Sequence, residues 1–90
     1  MAVTIPIIKR SREFGYVVWK KEADFSMKTH LKDILEANVT FDGKDLGKKK
    51  IDWKFRRISV GWRNTRPLSN DKKSYVLNLA KDGKLTIKCQ

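Results

Sequence analysis

Apolar residues recur at every second position through most of this chain, and at helical spacing in one stretch alone. Val3, Ile5 and Ile7 alternate with Thr4 and Pro6; Ile51, Trp53 and Phe55 alternate with Asp52, Lys54 and Arg56. Ile58, Val60 and Trp62 follow on the other parity, and Leu77 and Leu79, then Leu85, Ile87 and Cys89, repeat the pattern. Successive strand residues point to opposite faces, so alternation of this kind marks strands with one face buried. Met27, Leu31, Ile34 and Leu35 recur instead at the spacing of a helix that Asp24 or Ser26 can cap, with Asn38 as its stop. The predicted fold is therefore α+β: a mainly antiparallel sheet of five to six strands with one amphipathic helix packed on one face.

Ninety residues suffice for one domain, taken as 1–90, since no repeat, low-complexity tract or Pro/Gly/Ser linker divides the chain. An apolar fraction of 40% can fill one core, which argues against disorder despite the many charges. Pro6 places the first strand at a sheet edge, because proline cannot donate to a ladder. A second strand, Phe14-Gly15-Tyr16-Val17-Val18-Trp19, is apolar on both faces. One helix covers one of them, so the other is expected to meet further strands, ligand or a second copy of the chain, and a homodimer is the expected assembly. Val39 and Phe41 open another strand, which turns near Asp42-Gly43. The parity change at Arg56-Arg57, without Gly or Pro, predicts a β-bulge with both arginines facing outward.

The last hairpin has a definite register. A two-residue Asp82-Gly83 loop would oppose Leu79 to Thr86 and Asn78 to Ile87. A three-residue loop, Lys81-Asp82-Gly83, pairs Leu79 with Leu85, Leu77 with Ile87 and Tyr75 with Cys89, and only this gathers the apolar side chains on one face. It also puts Gly83 where a left-handed residue is wanted.

Twenty-one Lys and Arg against ten Asp and Glu leave a net charge of +11. Such a field attracts polyanions at long range and exceeds what solubility requires. The charge is concentrated: nine basic residues and two acidic ones fall between Lys44 and Arg66, while the predicted helix is neutral. A basic strand face beside a lysine-rich loop is the footprint of a phosphate-backbone binder. The candidate contacts are Lys48, Lys49, Lys50, Lys54, Arg56, Arg57, Arg63 and Arg66, with arginine favoured for its bidentate fork. Aromatic residues lie among them. Trp53 and Phe55 belong to the predicted core face with Ile51, whereas Trp62, between Gly61 and Arg63, is the candidate for stacking on the bases of a single strand.

Catalysis finds little support. His30 is the sole histidine, with no carboxylate or second histidine spaced to orient it. Cys89, the sole cysteine, reads as a core residue, and no metal-ligand spacing, phosphate-binding glycine loop or nucleophile triad is present. No cofactor and no metal are expected. The opening MAVTIPIIKRS lacks the form of a signal peptide and no apolar run is long enough to span a membrane, so a cytoplasmic location without membrane contact is expected.

The stretch from Ile7-Ile8-Lys9-Arg10 through Glu13-Phe14-Gly15-Tyr16-Val17-Val18 to a short helix and hairpin resembles the order of elements in AbrB/MazE-type swapped-hairpin DNA-binding domains. The resemblance covers about half the chain and rests on no strict motif. The proline usual in that family's second strand is absent, with Trp19 and Lys20 in its place. It implies a dimer whose basic loops read DNA, and it transfers no site residue.

The expected function is thus non-enzymatic nucleic-acid binding, DNA or RNA, through a basic strand face and lysine loop, as in a small regulator. The alternatives are a module for an acidic protein partner, antitoxin-like or inhibitory, and a small basic ribonuclease dependent on His30.

Overall fold

A computed structural model describes residues 2–90; Met1, the first residue of the expected unit, lies outside the described residues. The chain begins with β1 (Val3–Pro6), turns into α1 (Lys9–Phe14) and passes through Gly15 into β2 (Tyr16–Val18). A 3₁₀ turn at Lys21–Ala23 leads into α2 (Asp24–Leu31). β3 (Glu36–Phe41), β4 (Lys44–Asp52) and β5 (Arg57–Ser59) follow as a meander. After α3 (Trp62–Thr65), a single turn, come β6 (Ser74–Leu79) and β7 (Lys84–Cys89). The described residues form seven strands in the order β1-β6-β7-β3-β4-β5-β2 and three short helices. The α+β class holds. The strand count and the single helix do not, and β3 pairs with β7 in parallel.

Connectivity dictates the shape. β1 and β2 are consecutive in sequence but lie at opposite ends of the strand order. Six steps across a flat sheet would separate them by about 29 Å, at roughly 4.8 Å per strand. The link from Pro6 to Tyr16 contains a six-residue helix. It reaches only about 22 Å, at roughly 1.5 Å per helical residue and 3.3 Å per extended one. The sheet must curl until its edges approach, and it forms a half-barrel. The concave side holds one core that runs from Val3 and Ile5 through Val17, Val39, Ile58 and Tyr75 to Leu85, Ile87 and Cys89. α2 packs on β1 and β6 and contributes Met27 and Leu31.

Polar groups fasten the seam between the edges. Buried Ser11 on α1 donates its hydroxyl proton to the Tyr16 carbonyl of β2, so the Tyr75 hydroxyl of β6 is the donor in the 2.7 Å bond to Ser11 Oγ. Arg12 donates to the carbonyls of Leu68 (2.8 Å), Ser69 (3.2 Å) and Lys72 (2.6 Å), gathering the loop before β6. Thr65 Oγ1 returns a bond to the Arg12 carbonyl at 2.8 Å. Among the described residues no buried side-chain nitrogen or oxygen lacks a partner.

Several sequence expectations meet the structure unevenly. β1 is an edge strand and Asp42-Gly43 joins β3 to β4, as expected. The last hairpin adopts the three-residue register, with Leu79 opposite Leu85, Leu77 opposite Ile87 and Tyr75 opposite Cys89. Leu77, Leu85 and Ile87 are fully buried, whereas Leu79, the last strand residue before the loop, is half-buried.

α2 stops at Leu31 rather than near Asn38, because Lys32 and Asp33 both take φ 54° and turn the chain into β3. Leu35, assigned to the helix stripe, is 73% exposed. The bulge at Arg56-Arg57 is instead a chain reversal between β4 and β5, pairing Ile51 with Ile58 and Asp52 with Arg57. Reversal converts the parity change into a single buried face. Arg56 supplies it with φ 54°, and Asp52 Oδ1 accepts the Phe55 amide at 3.0 Å.

The second strand is three residues long, and its expected start at Phe14 is the last turn of α1. This also removes the strand-strand-helix order on which the swapped-hairpin resemblance rests. Val17, Val18 and Trp19 are all buried within one chain, so burial on both faces is met without a second copy. Among the described residues no helix is long and apolar enough to cross a membrane.

Gly15 tests the seam. Its φ is 76°, and a Cβ there would overlap the backbone of Gly61 and Trp62, whose positions are fixed because Val60 N and Gly61 N donate to the Gly15 carbonyl. Gly15→Ala is expected to destabilise by about 2–5 kcal/mol, from left-handed strain plus overlap with atoms that cannot yield. Gly83→Ala, at φ 87° with open space around it, should cost only about 1–2 kcal/mol. Leu77→Ala should cost about 2–5 kcal/mol. Thr86→Ala, on the convex face, should leave the urea midpoint nearly unchanged. Urea unfolding of the four variants checks the order.

Candidate nucleic-acid interface

The basic segment is distributed by strand parity. In β4, Lys48 and Lys50 lie opposite Asn38 and Glu36 on the convex face, while Lys49 lies opposite buried Ala37 with its stem half-buried. The expected lysine loop is thus a strand, and it sends its three lysines to two faces. Lys48 pairs with Glu36 at 3.5 Å. One strand over, Arg57 shares the convex face with Asp52, and β2 adds Tyr16 opposite Ser59. Lys48, Lys50, Arg57 and Tyr16 therefore occupy neighbouring strands of one outward surface.

Arg57 lies between two rings. Its Cζ is 4.5 Å from the centre of Tyr16 and 5.1 Å from that of Phe55, and Lys54 Nζ is 5.6 Å from Phe55. Phe55 was expected in the core with Trp53. The turn after Asp52 separates them: Trp53 is half-buried against Trp19, with ring centres 5.5 Å apart, and donates to the Ile34 carbonyl at 2.8 Å. Phe55 points outward and is 56% exposed.

A second cluster adjoins through the backbone. Trp62 opens α3, where its amide lies against Gly15, one residue from Tyr16. Its ring is 48% exposed and carries Arg66 at 4.7 Å and Arg63 at 5.5 Å. Among the described residues Lys50, Lys54, Arg63 and Arg66 take part in no ion pair. Arg57 approaches Asp52 only to 3.9 Å.

Arg56 is the candidate that the structure separates from the rest. It reaches back to α2, where its Nε donates to Asp24 Oδ2 at 2.9 Å and Oδ1 at 3.0 Å. The indole of buried Trp19 donates to the same carboxylate at 2.8 Å. Half-buried as it is, Arg56 serves the fold. Asp24, expected only as a helix cap, is the hub that joins β2, α2 and the β4–β5 turn.

Tyr16 and Phe55, the rings that hold Arg57, are not marked as such by the sequence. The signal available was their proximity in sequence to basic residues, but their faces depended on two turns that carry no distinctive residues. His30 is half-buried at the end of α2. The Cys89 thiol is buried and pushed up to about 11, chiefly by desolvation and then by the Asp42 charge. Among the described residues no group of three His, Cys, Asp or Glu is placed to hold a metal ion.

The Asp24 hub sets an acid limit on stability. Desolvation opposes ionisation of Asp24, but the bonds from Arg56 and Trp19 and the Arg56 charge outweigh it and hold the carboxyl below the usual range. A carboxyl lowered on folding stabilises the native state above its unfolded value, near 3.9, and that contribution is lost as pH falls through the lowered folded value. Stability of the native chain should therefore decline below about pH 4, and Asp24→Asn should be less stable at neutral pH with a flatter acid limb. Thermal melts between pH 2 and 7 measure both.

No protein-family model, curated protein or solved structure matches this chain.

Proposed function

We propose that this chain is a non-enzymatic nucleic-acid-binding protein that grips the phosphate backbone with the convex face of β4, β5 and β2 and the adjoining α3. The observation that carries it is the placement of Lys48, Lys50 and Arg57 on one face of neighbouring strands, with Arg63 and Arg66 on the α3 turn that follows β5 and lies against Gly15. Few carboxylates answer them: Glu36 is matched to Lys48 and Asp52 to Arg57. Phosphates are the natural complement, because guanidinium forks match their geometry and released counterions drive association. Lys54 extends the surface at the turn. Arg56 and Lys49 are left out of it, the first by its bond to Asp24 and the second by its parity.

The expected binding is salt-dependent. For about five phosphate contacts, log K should fall against log salt with a slope near −4.5 on duplex and near −3.5 on a single strand. Arg63→Ala with Arg66→Ala should weaken binding to all sequences and flatten that slope by about 1.5–2. Lys28→Ala with Lys32→Ala, on α2 and at its C-cap, removes the same formal charge outside the proposed surface and should do much less. Mobility shifts at several salt concentrations decide it. Equal weakening by both pairs would reduce the surface to a diffuse positive field, and a tight complex indifferent to salt would favour an acidic protein partner.

A further inference from the structure

Four aromatic side chains meet the solvent-facing basic region in different ways, and the difference is informative. Trp19 is buried with its indole N–H on Asp24, and Trp53 is half-buried with its own on the Ile34 carbonyl; both complete the core. Phe55 and Trp62 remain in water, 56% and 48% exposed, although burying a ring of that size contributes roughly 1.5–3 kcal/mol to a fold. Isolated exposed rings are common on protein surfaces. These two are not isolated: each has cationic groups over its ring, Arg57 and Lys54 at Phe55, Arg63 and Arg66 at Trp62. A guanidinium stacked beside a ring restricts the ring's motion and leaves accessible aromatic surface alongside a phosphate-binding fork.

We propose, resting on the nucleic-acid reading above, that the ligand is a single strand, with bases stacked on Trp62 and Phe55 and phosphates held by Arg57, Arg63, Arg66 and Lys54. Bases inside a duplex are already stacked and reach a protein ring only when extruded, at a cost of a few kcal/mol. A single strand offers every base's π face, and aromatic platforms set in a cationic groove are how such strands are held without sequence preference. The helices do not supply the alternative. α3 is four residues long, and α2, the longest helix among the described residues, has Asp24 at its start, Phe25 exposed, and Met27 and Leu31 in the core. Neither presents a basic face of the length that a major groove accepts. Asp52, the carboxylate inside the cluster, is matched by Arg57 at 3.9 Å and by the Phe55 amide at 3.0 Å, so it does not leave an unbalanced charge against the strand.

The test uses the full 90-residue chain with three labelled probes: an oligothymidine of about 20 nucleotides, long enough for a site of this kind, a mixed-sequence duplex of equal length, and heparin, a polyanion without bases. Fluorescence anisotropy should show the single strand binding at least about tenfold more tightly than the duplex at equal salt, since stacking of one base alone is worth about that factor. Trp62→Ala and Phe55→Ala should each weaken single-strand binding roughly 5- to 100-fold and heparin binding far less, with the fold kept as read by thermal melts. Trp62→Phe, which keeps a ring, should retain most of the affinity. A duplex bound as well as the single strand, or ring variants that bind oligothymidine like the native chain, would overturn the stacking proposal and leave phosphate binding standing. Heparin binding with no retention of either nucleic acid would overturn both.

Discussion

A connection of nine residues must join the two outermost strands of a seven-stranded sheet, and the shape of the molecule follows from that demand. Because residues 7 to 15 cannot span a flat sheet, the sheet curls, and curling creates a concave side deep enough to enclose Tyr75, Leu77, Leu85 and Ile87. The joint itself is polar. Ser11 links the Tyr16 carbonyl on one edge to the Tyr75 hydroxyl of the strand beside the other. In a low-dielectric interior a satisfied chain of this kind is favourable, and one missing member leaves a buried group unpaired. Burial disfavours the tyrosinate and holds the Tyr75 hydroxyl above its ordinary range, which keeps its proton available for the bond to Ser11. The other side of the joint is a backbone contact, Gly15 against Gly61 and Trp62, with no room for a side chain. α3 is therefore placed by the seam, and with it the ring of Trp62.

What could be read from the sequence was whatever the apolar pattern constrained by itself. The β6–β7 register was legible because only one loop length puts Leu77, Leu85 and Ile87 on the same side. The edge position of β1 followed from Pro6, and the β3–β4 turn from Asp42-Gly43. Features created by tertiary contact left no such mark. α1 is six residues, Lys9 to Phe14, without an apolar period, and it owes its stability to Ser11 and Arg12 bonding across the seam. The β4–β5 reversal has neither glycine nor proline, and Arg56 accepts positive φ there while engaged with Asp24. A parity change alone is the same for a bulge and for a hairpin. The two differ in whether Ile51 and Ile58 end on one buried face, which required knowing that the chain turns back.

The candidate surface was legible in composition and less so in detail, for the same reason. A cluster of cations between Lys44 and Arg66 announces itself, but which of them face outward depends on strand parity and on partners distant in sequence. Arg56 and Arg57 are adjacent, yet one meets a carboxylate 32 residues earlier and the other stacks between Tyr16 and Phe55. Their roles diverge because the turn points successive side chains in different directions. The structural arginines donate to fixed acceptors, Arg12 to three loop carbonyls and Arg56, through Nε, to the Asp24 carboxylate. Arg63 and Arg66 have an indole ring instead, a partner that orients a guanidinium while leaving its hydrogen-bond donors free.

That division bears on how a chain of net charge +11 remains folded. Self-repulsion among like charges opposes compaction, and only four ion pairs among the described residues relieve it, three of them involving the sheet or its turns. A polyanion bound as proposed would relieve the remainder and so link binding to folding. Charge alone would not make the linkage favour folding, because the unfolded chain carries the same cations and attracts the same polyanion. The rings change the balance. Arg57 reaches Tyr16, and Trp62 is set against Gly15, only when the β4–β5 turn and the Gly15 seam are formed. A ligand that uses both charge and stacking therefore discriminates the folded chain from the unfolded one, whereas a ligand that uses charge alone discriminates far less.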